Sequence, residues 1–387
     1  MSGNDVISRR RGVDLVAVIA SMVVVNLVYG LTLPLLSLVL DSQGISKTVI
    51  GLSIMAQACG GIAIATLTPR LITRFGAARL MQAATVLAGV TLFSLALFPN
   101  VVAWFPLRFL LGASAAILWS ASEAVINEMA QESWRGRIIG LYGAAGAAGF
   151  ALGPLILVFT GSEGIRPFAV TATLILAAGL PLFWLKGRNH YADQGPPPKM
   201  WRIFRKAPEI MLLNFTYAAA VESFLAFFPL FGLQLGLGEV RSLSLLTAFG
   251  LGGVLLQMPL GWLADHVDRR KMLLACVLLT VLGCVALPAL ITVKPVAPIF
   301  AFGLGGIEGM IYAMGVILLG QRFRGVELAT ASVVFTTMWG AGTMMGPAAV
   351  GLGMDLLGDQ VMPFLIAGLY ALYLPVLWVS WRTRGGA

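Results

Sequence analysis

The sequence predicts an all-α polytopic membrane protein with twelve transmembrane helices in two pseudo-symmetric six-helix bundles. Three observations lead to this fold class. The 387 residues are 58% hydrophobic and only 11% charged, whereas soluble domains carry about 25% charged residues. The apolar residues form long runs, and a run of about twenty spans a bilayer as a helix. Several short motifs of the first half also recur in the second half.

Twelve apolar runs are long enough to span a membrane. They are separated by short polar or Pro/Gly clusters, which end helices. The first run follows Arg9, Arg10 and Arg11 and is too long for the apolar core of a signal peptide. The predicted spans are 14–40, 47–69, 78–98, 102–127, 137–159, 166–185, 208–236, 242–264, 271–293, 297–320, 328–353 and 361–381.

The net charge of +9 is explained by membrane topology, because of where the basic residues lie along the chain. With the N-terminus inside, most of the 26 lysines and arginines fall in cytoplasmic segments, as the positive-inside rule requires. We therefore expect both termini in the cytoplasm and the basic residues close to anionic lipid, not to nucleic acid. The expected location is a cell membrane, of the bacterial inner-membrane type.

A basic, proline-rich segment divides the chain into halves. We predict an N-terminal six-helix bundle at 1–185, a cytoplasmic linker at 186–207 and a C-terminal six-helix bundle at 208–387. Within the linker, "KMWRIFRK" (199–206) is either a short amphipathic helix in the membrane interface or a plain linker with anchoring aromatic residues.

The two halves share an internal repeat. "PRLITRFGAAR" (69–79) corresponds to "GWLADHVDRRK" (261–271) in the second half, and "GFALGP" (149–154) corresponds to "GTMMGP" (342–347). An "RG" pair also opens the fifth and the eleventh span. Together these matches indicate a duplicated six-helix unit, which is typical of secondary transporters. The small residues of "GAAGAAGFALGP" predict close contact with another helix.

These motifs resemble those of the major facilitator superfamily over essentially the whole chain. "GWLADHVDRRK" is similar to the superfamily signature between helices 8 and 9, and "RFLLGA" (108–113) to an element of helix 4. "GFALGP" resembles a helix 5 element associated with proton-coupled antiporters, and "EMAQESWRG" (128–136) resembles the element after helix 4. More narrowly, the sequence resembles the YcaD-like branch. The resemblance implies the superfamily fold, in which helices 1, 4, 7 and 10 line a central cavity.

Four ionisable residues lie inside predicted spans, where a charge is costly and is a functional candidate by default. All four fall on helices that the resemblance places around the cavity, and we predict roles in proton coupling or substrate binding for Glu308, Glu222, Arg108 and Glu123. The residues predicted to line the same cavity are Asn26, Tyr29, Trp119, Asn214, Tyr217 and Tyr312. The alternatives are structural: the arginine could bond backbone carbonyls, and the aromatic residues could fill helix contacts.

Charged residues in the cytoplasmic turns are candidates for gating through salt bridges that open and close during transport. These residues are Asp265, Arg269, Arg270, Glu128 and Arg135. Only the second half keeps the charged signature, because Thr73 and the Ala77–Ala78 pair stand at the corresponding positions of the first half. We therefore expect the two halves to differ in gating.

The pattern predicts a secondary active transporter that moves a small organic solute by alternating access. A P-loop motif is missing from the sequence, so energy would come from an ion gradient, most simply from protons carried by Glu308 or Glu222. The "GFALGP" element favours proton-coupled export by antiport. Uptake by proton symport is the first alternative, and a non-transporting regulator or lipid scramblase is the second.

Other function classes find little support in the sequence. Within the spans we find no Ser/His/Asp or metal-ligand constellation, so neither an enzyme nor a cofactor or metal is predicted. Because the candidate site carries three acids and one base, we expect a cationic or zwitterionic solute. The other expected partners are protons and membrane lipids, without nucleic acid, and the chain is expected to be a monomer.

Overall fold

The computed structural model describes residues 3–129, 135–184 and 200–382, with side chains described at 15–126, 137–183 except 139, 200–380 and 382. Within these ranges the chain is helical and forms no strand. Short 3₁₀ turns occur at Leu180–Trp184 and Asp359–Val361. The α-helices are α1 Gly3–Ser42, α2 Lys47–Ala65, α3 Thr68–Phe75, α4 Ala77–Leu97, α5 Val101–Met129, α6 Arg135–Thr160, α7 Arg166–Gly179, α8 Met200–Lys206, α9 Pro208–Gln234, α10 Glu239–Leu255, α11 Gln257–His266, α12 Arg269–Leu290, α13 Ala297–Arg322, α14 Gly325–Leu357 and α15 Met362–Arg382.

The predicted all-α membrane architecture is confirmed. Among the described residues, 11 helical stretches are long and apolar enough to cross a membrane. The predicted eleventh span, 328–353, forms most of the 33-residue helix α14. This helix is not among the 11 apolar stretches, since its glycine, threonine and serine residues make it less apolar than its neighbours.

Two of the predicted spans are interrupted at matching positions. The second span ends at Ala65, and a separate short helix, α3, begins at Thr68. The eighth span is likewise divided into α10 and α11, with Leu256 between them. Each short helix carries a proline in its first turn, Pro69 or Pro259. Proline is well placed there because it lacks the N–H that a helix start leaves unbonded.

The chain divides into two compact units. The first unit contains Met1–Leu35 and Ala56–Asp193, and the second contains Leu36–Met55 and Gln194–Ala387. The segment Leu36–Met55, which the sequence assigned to the N-terminal bundle, therefore groups with the second unit. The predicted linker covers residues 186–207. Residues 186–199 of this linker lie outside the part of the chain that the structure describes.

Paired glycines bring helices into backbone contact in the second unit. A Cβ atom added at Gly305 of α13 would overlap the carbonyl oxygen of Phe249 on α10. In return, a Cβ added at Gly252 of α10 would overlap the carbonyl oxygen of Phe302 on α13. The helices can approach this closely because glycine has no side chain, a common device in membrane bundles.

The first unit uses the same device at the corresponding helices. A Cβ added at Gly60 of α2 would overlap the carbonyl oxygen of Phe109 on α5, and one added at Gly112 of α5 would overlap that of Gln57. The two units therefore share their closest helix contacts as well as their motifs. This agreement supports the internal duplication that the sequence predicts.

The glycine-rich element before Pro154 also behaves as predicted. A Cβ added at Gly149 of α6 would overlap the carbonyl oxygen of Val23 on α1. In the second unit, Gly342 and Gly346 of α14 lie against Phe215 and Ala219 of α9 in the same manner. Both glycine elements thus form the close helix seams that their small residues indicate.

The segment Leu36–Met55 is fastened to α14 by a carboxylate. Asp355, near the end of α14, accepts hydrogen bonds from the backbone N–H groups of Lys47 (2.9 Å) and Thr48 (2.8 Å), the first residues of α2. The hydroxyl of Thr48 also donates to Asp355. The first N–H groups of a helix have no partner within it, and negative charge is favourable at that end.

Two further carboxylates pair with Lys47: Asp41 lies within the segment itself, and Asp359, just beyond α14, strengthens the attachment. The ammonium group of Lys47 lies 2.9 Å from Asp41 and 3.2 Å from Asp359. At Asp355, partial burial opposes ionisation, but the hydrogen bonds from Thr48 and Lys47 outweigh it and hold the pKa of the carboxyl below its usual value. The carboxylate therefore stays charged, and the attachment stays intact, over the neutral pH range.

We expect Gly305→Ala to destabilise the second unit, since its methyl group would meet the backbone of Phe249 and overpacking costs about 1–3 kcal/mol. The matched control is Gly303→Ala on the same helix, where an added Cβ meets open space and alanine improves helix propensity. Thermal unfolding of the purified protein in detergent measures both. Equal unfolding temperatures for the two variants would contradict the proposed backbone contact.

Candidate functional site

A buried carboxyl group in the second unit is the first element of the candidate site. Glu308 on α13 is only 3% exposed. Tyr370 of α15, which is fully buried, donates a hydrogen bond of 2.9 Å to Glu308 Oε1. A hydrogen-bond donor stabilises a carboxylate that is removed from water. The pair therefore provides a position where a proton can be gained or lost inside the helix bundle.

Three aromatic rings lie against one another beside this carboxyl. Tyr217 of α9 lies 5.5 Å from Tyr312 of α13 and 5.5 Å from Trp339 of α14, measured between ring centroids. Tyr312 and Trp339 are 5.6 Å apart in an edge-on arrangement. Tyr312 is 36% exposed, so part of the cluster is accessible. We call Tyr217, Tyr312 and Trp339 the aromatic cluster.

Both predicted acids of the second unit are close to the aromatic cluster. Tyr217 lies within electrostatic reach of Glu308 and of Glu222, which is five residues further along α9. The side chain of Glu222 is half-buried. Rings with acidic groups nearby attract cations through both the ring faces and the negative charge. The second unit thus brings together four of the predicted site residues: Glu308, Glu222, Tyr217 and Tyr312.

The first unit presents a second, smaller group on α5. Tyr29 of α1 donates to the carbonyl oxygen of Leu111 (2.8 Å) and lies 3.2 Å from the Ser114 hydroxyl. Its ring packs 5.6 Å from that of Trp119. Tyr29 is 3% exposed and Trp119 is 38% exposed, so only the tryptophan presents accessible surface. The arginine of the same helix, Arg108, is fully buried.

Glu123 lies further along α5 and is exposed. Tyr142 of α6 lies within its electrostatic reach, and the Tyr142 hydroxyl is 2.8 Å from that of Ser122. Neither Ser122 nor Tyr142 was among the predicted residues. The arrangement gives Glu123 polar neighbours without placing it near Arg108, as their separation along one helix requires.

The two predicted asparagines bond to backbone instead of presenting free amide groups. Asn26 donates to the carbonyl oxygen of Met22 within α1 (2.8 Å). Asn214 donates to the carbonyl oxygen of Phe335 on α14 (2.6 Å) and is only 1% exposed. In this structure Asn214 joins two helices and does not line open space. The reason is that its amide N–H group donates a hydrogen bond to a backbone carbonyl oxygen inside the bundle.

The charged turn between α11 and α12 contains two aspartates, of which one forms a salt bridge and the other caps a helix. Asp265 of α11 pairs with Arg269, the first residue of α12, at 3.3 Å. Asp268 caps α12 by accepting from the backbone N–H groups of Arg270 (3.0 Å) and Lys271 (2.9 Å). Asp265 thus makes a salt bridge, as its predicted role in gating requires. The cap was not predicted.

The remaining gating candidates are only partly visible. The side chains of Glu128 and Arg135 lie outside the described residues. In the second unit, the side chain of Lys206 at the end of α8 pairs with Glu327 at the start of α14. The hydrogen bond from Lys206 holds the pKa of the exposed Glu327 carboxyl below its usual value.

The end of the predicted linker forms a helix. Within α8, Ile203 is 1% exposed and packs into a cluster of buried residues, whereas Trp201 is 66% exposed and stacks on Phe204 at 5.6 Å. The segment 200–206 is thus helical, with one face packed on the second unit. Its expected position in the membrane interface stays a prediction.

Two residues important to this geometry were missed. Tyr370 and Trp339 lie on the twelfth and eleventh spans, which the resemblance does not place around the cavity. A tyrosine within an apolar span was the only signal for the first. Nothing in one sequence shows which carboxyl it bonds. Among the described residues, no group of three His, Cys, Asp or Glu side chains lies close enough to hold a metal ion.

Comparison with known proteins gives a consistent family. The model of the Major Facilitator Superfamily matches residues 18–246 and 239–386. An uncharacterized MFS-type transporter of Bacillus subtilis, YfkF, is 25% identical over 330 residues, which cover 83% of this chain and 84% of the relative. An uncharacterized MFS-type transporter of Yersinia pestis is 21% identical over 345 residues, with 89% of each chain covered.

Solved structures share the fold at lower identity. The crystal structure of the nucleoside transporter NupG has a TM-score of 0.80 at 13% identity, covering 95% of this chain and 98% of that one. The crystal structure of a D-xylose-proton symporter has a TM-score of 0.74 at 15% identity, covering 94% and 97%. At these identities the likeness establishes the arrangement of helices alone.

We expect Tyr370→Phe to lower the unfolding temperature, because a buried acceptor that loses its donor costs about 1–3 kcal/mol. A double-mutant cycle with Glu308→Leu isolates the hydrogen bond. In the Glu308→Leu background the same tyrosine change should have a much smaller effect. An equal effect in both backgrounds would show that the hydrogen bond contributes nothing to stability.

Proposed function

Because the chain belongs to the Major Facilitator Superfamily, we propose that this multi-pass membrane transporter moves a small organic solute by alternating access coupled to protons. The observation that carries the proposal is the juxtaposition of Glu308, Glu222 and the aromatic cluster within the second unit. The protein is a transporter and not an enzyme. Its finer placement near the YcaD-like branch stays a prediction.

The chemistry of the site supports a cationic or zwitterionic solute. An organic cation gains from ring faces and from carboxylates together, by about 0.5–2 kcal/mol for each ring contact. Trp119 and Glu123 of the first unit offer a similar pairing of a ring and an acid. Arg108, fully buried, adds the one positive charge predicted within the spans. These residues are proposed to bind the solute or the proton.

Proton coupling is supported by the burial of Glu308 and the partial burial of Glu222. An ionised carboxylate without a cation nearby is costly in such surroundings, and Glu308 has a tyrosine hydroxyl as its bonded neighbour. Binding of a cation beside the carboxylates and binding of a proton to them would therefore compete. Competition of this kind favours exchange of solute for protons, and hence export.

Uptake by symport is the second candidate function. One structural neighbour is a D-xylose-proton symporter, so this fold also serves proton-driven uptake. Symport would require the proton and the solute to bind together, which suits a neutral or anionic solute. In this proposal, a solute that competes with the proton is exported, and one that binds together with the proton is taken up.

The proposed orientation keeps both termini in the cytoplasm, since the basic turns then face the inside. The proposed location is a bacterial cell membrane, since both relatives are bacterial, and the relative from Yersinia pestis supports the inner membrane. We propose that Asp265, Arg269, Arg270, Glu128 and Arg135 act in gating at that side. The chain is proposed to work as a monomer surrounded by lipid.

A solute screen followed by flux measurement tests the function. Thermal shifts of the purified protein at two pH values should identify binders among organic cations, zwitterions, sugars and nucleosides. In liposomes, we expect flux of the best binder to depend on a pH gradient. Glu308→Gln and Glu222→Gln should reduce gradient-driven flux at least about tenfold, the effect of roughly 1.4 kcal/mol.

The control for the flux experiment is Glu163→Gln, a change in the exposed turn between α6 and α7. This variant should transport like the wild type. Full gradient-driven flux in both the Glu308 and the Glu222 variant would refute the proton role of these residues.

We also expect Trp339→Ala to weaken binding of a cationic solute about 3- to 30-fold, as the loss of one ring contact predicts. Trp378→Ala is the matched control, because that tryptophan is 57% exposed and lies away from the aromatic cluster. Quenching of intrinsic fluorescence or calorimetry measures the affinity. If both variants bind equally well, the aromatic cluster does not contact the solute.

A further inference from the structure

The second unit contains a polar pocket at its basic end. The pocket has a volume of about 440 Å³ and lies among the ends of α9, α12, α13 and α15. Its lining includes Glu209, Arg269, Arg270, Arg322 and Ser380. Charged and hydroxyl groups around a space of this size hold water. The orientation proposed above places this water on the cytoplasmic side.

One face of α15 leads from this pocket to Glu308. Tyr373 lines the pocket and donates a hydrogen bond of 2.9 Å to the carbonyl oxygen of Glu209. Tyr370 precedes it by three residues, about 4.5 Å along the helix, and residues at this spacing share a face. Both tyrosines are buried. Two hydroxyl groups therefore stand in succession between the pocket and the buried carboxyl.

The helix packed against α15 supplies a third hydroxyl. On α12, Leu273 lines the pocket and Cys284 lies within electrostatic reach of Glu308. Between them, Thr280 is 1% exposed, and its hydroxyl has no hydrogen-bond partner among the described residues. A buried hydroxyl without a partner costs about 1–3 kcal/mol. A water molecule between α12 and α15 would remove that cost.

We propose that the second unit has its own proton route, which runs from the pocket along Tyr373, Thr280 and Tyr370 to Glu308. The inference rests on the proposed function, in which Glu308 carries a proton. In the loading step, a hydronium ion in the pocket gives a proton to the Tyr373 oxygen. The hydroxyl groups of Tyr373, Thr280 and Tyr370 each pass on their own proton in turn through intervening water, and Tyr370 passes its proton to Glu308 Oε1. One proton moves from the hydronium ion to the carboxylate, which leaves a water molecule in the pocket and the three hydroxyl groups unchanged.

The groups around Glu308 make the direction toward the pocket the most polar path for a proton. The titratable groups that face it are Tyr370 on α15, Cys284 on α12 and Tyr217 on α9. Tyr217 belongs to the aromatic cluster, whose rings lie in contact with one another. A proton would therefore use the pocket side, while the solute uses the side of the aromatic cluster.

Infrared spectroscopy after a rapid pH jump tests the route without a known solute. The carboxylic acid band that is present in the wild type and lost in Glu308→Gln reports the protonation of this one group. We expect Tyr373→Phe, which removes one relay hydroxyl, and Ser380→Trp, which fills the pocket mouth, to slow its change about tenfold. Val379→Trp is the matched control on the same helix, since that position is 58% exposed.

The outcomes separate the route from the function. Slowing in Tyr373→Phe and Ser380→Trp, with wild-type rates in Val379→Trp and unchanged unfolding temperatures, supports the route. Wild-type rates in both test variants would overturn the route and leave the proton role of Glu308 standing. A spectrum in which no band is lost in Glu308→Gln would overturn the proton role and the route with it.

Discussion

Backbone contact between helices is the constraint on which each unit depends. Lipid chains are as apolar as leucine, so burial of apolar surface does not by itself draw spanning helices together. At Gly252 and Gly305 each helix instead places a glycine against a carbonyl oxygen of the other. Gly60 and Gly112 do the same in the first unit. The two units thus keep one packing rule, although their charged turns have diverged.

The same contact determines where the chemistry lies. Since Gly305 can face α10 in one rotation only, α13 is fixed about its own axis, and Glu308 is directed toward Tyr370. The tyrosine then makes a carboxylate tolerable in surroundings that would otherwise exclude it. Packing is therefore what positions the acidic group that the proposed mechanism uses.

Local features of this protein could be predicted from the sequence, and pairings between helices could not. The apolar runs give the spans, and the small residues before Pro154 give a helix seam. The breaks before the short helices α3 and α11 were not predicted. The acids Glu222 and Glu308 stand out because charge is rare in spans. Tyr370 and Trp339 were missed because their importance depends on which face of a distant helix they meet. The partner of the Asn214 amide could not be predicted for the same reason, since it lies 121 residues away.

The attachment of α2 to Asp355 has a consequence for biosynthesis. Lys47 and Asp355 are separated by 308 residues, so the carboxylate that holds the start of α2 is made only when almost the whole chain has been translated. Until then, the segment Leu36–Met55 has been inserted without its partner helix. One of the first segments to enter the membrane thus completes the second unit. A chain that stops before α14 lacks the helix against which that segment packs.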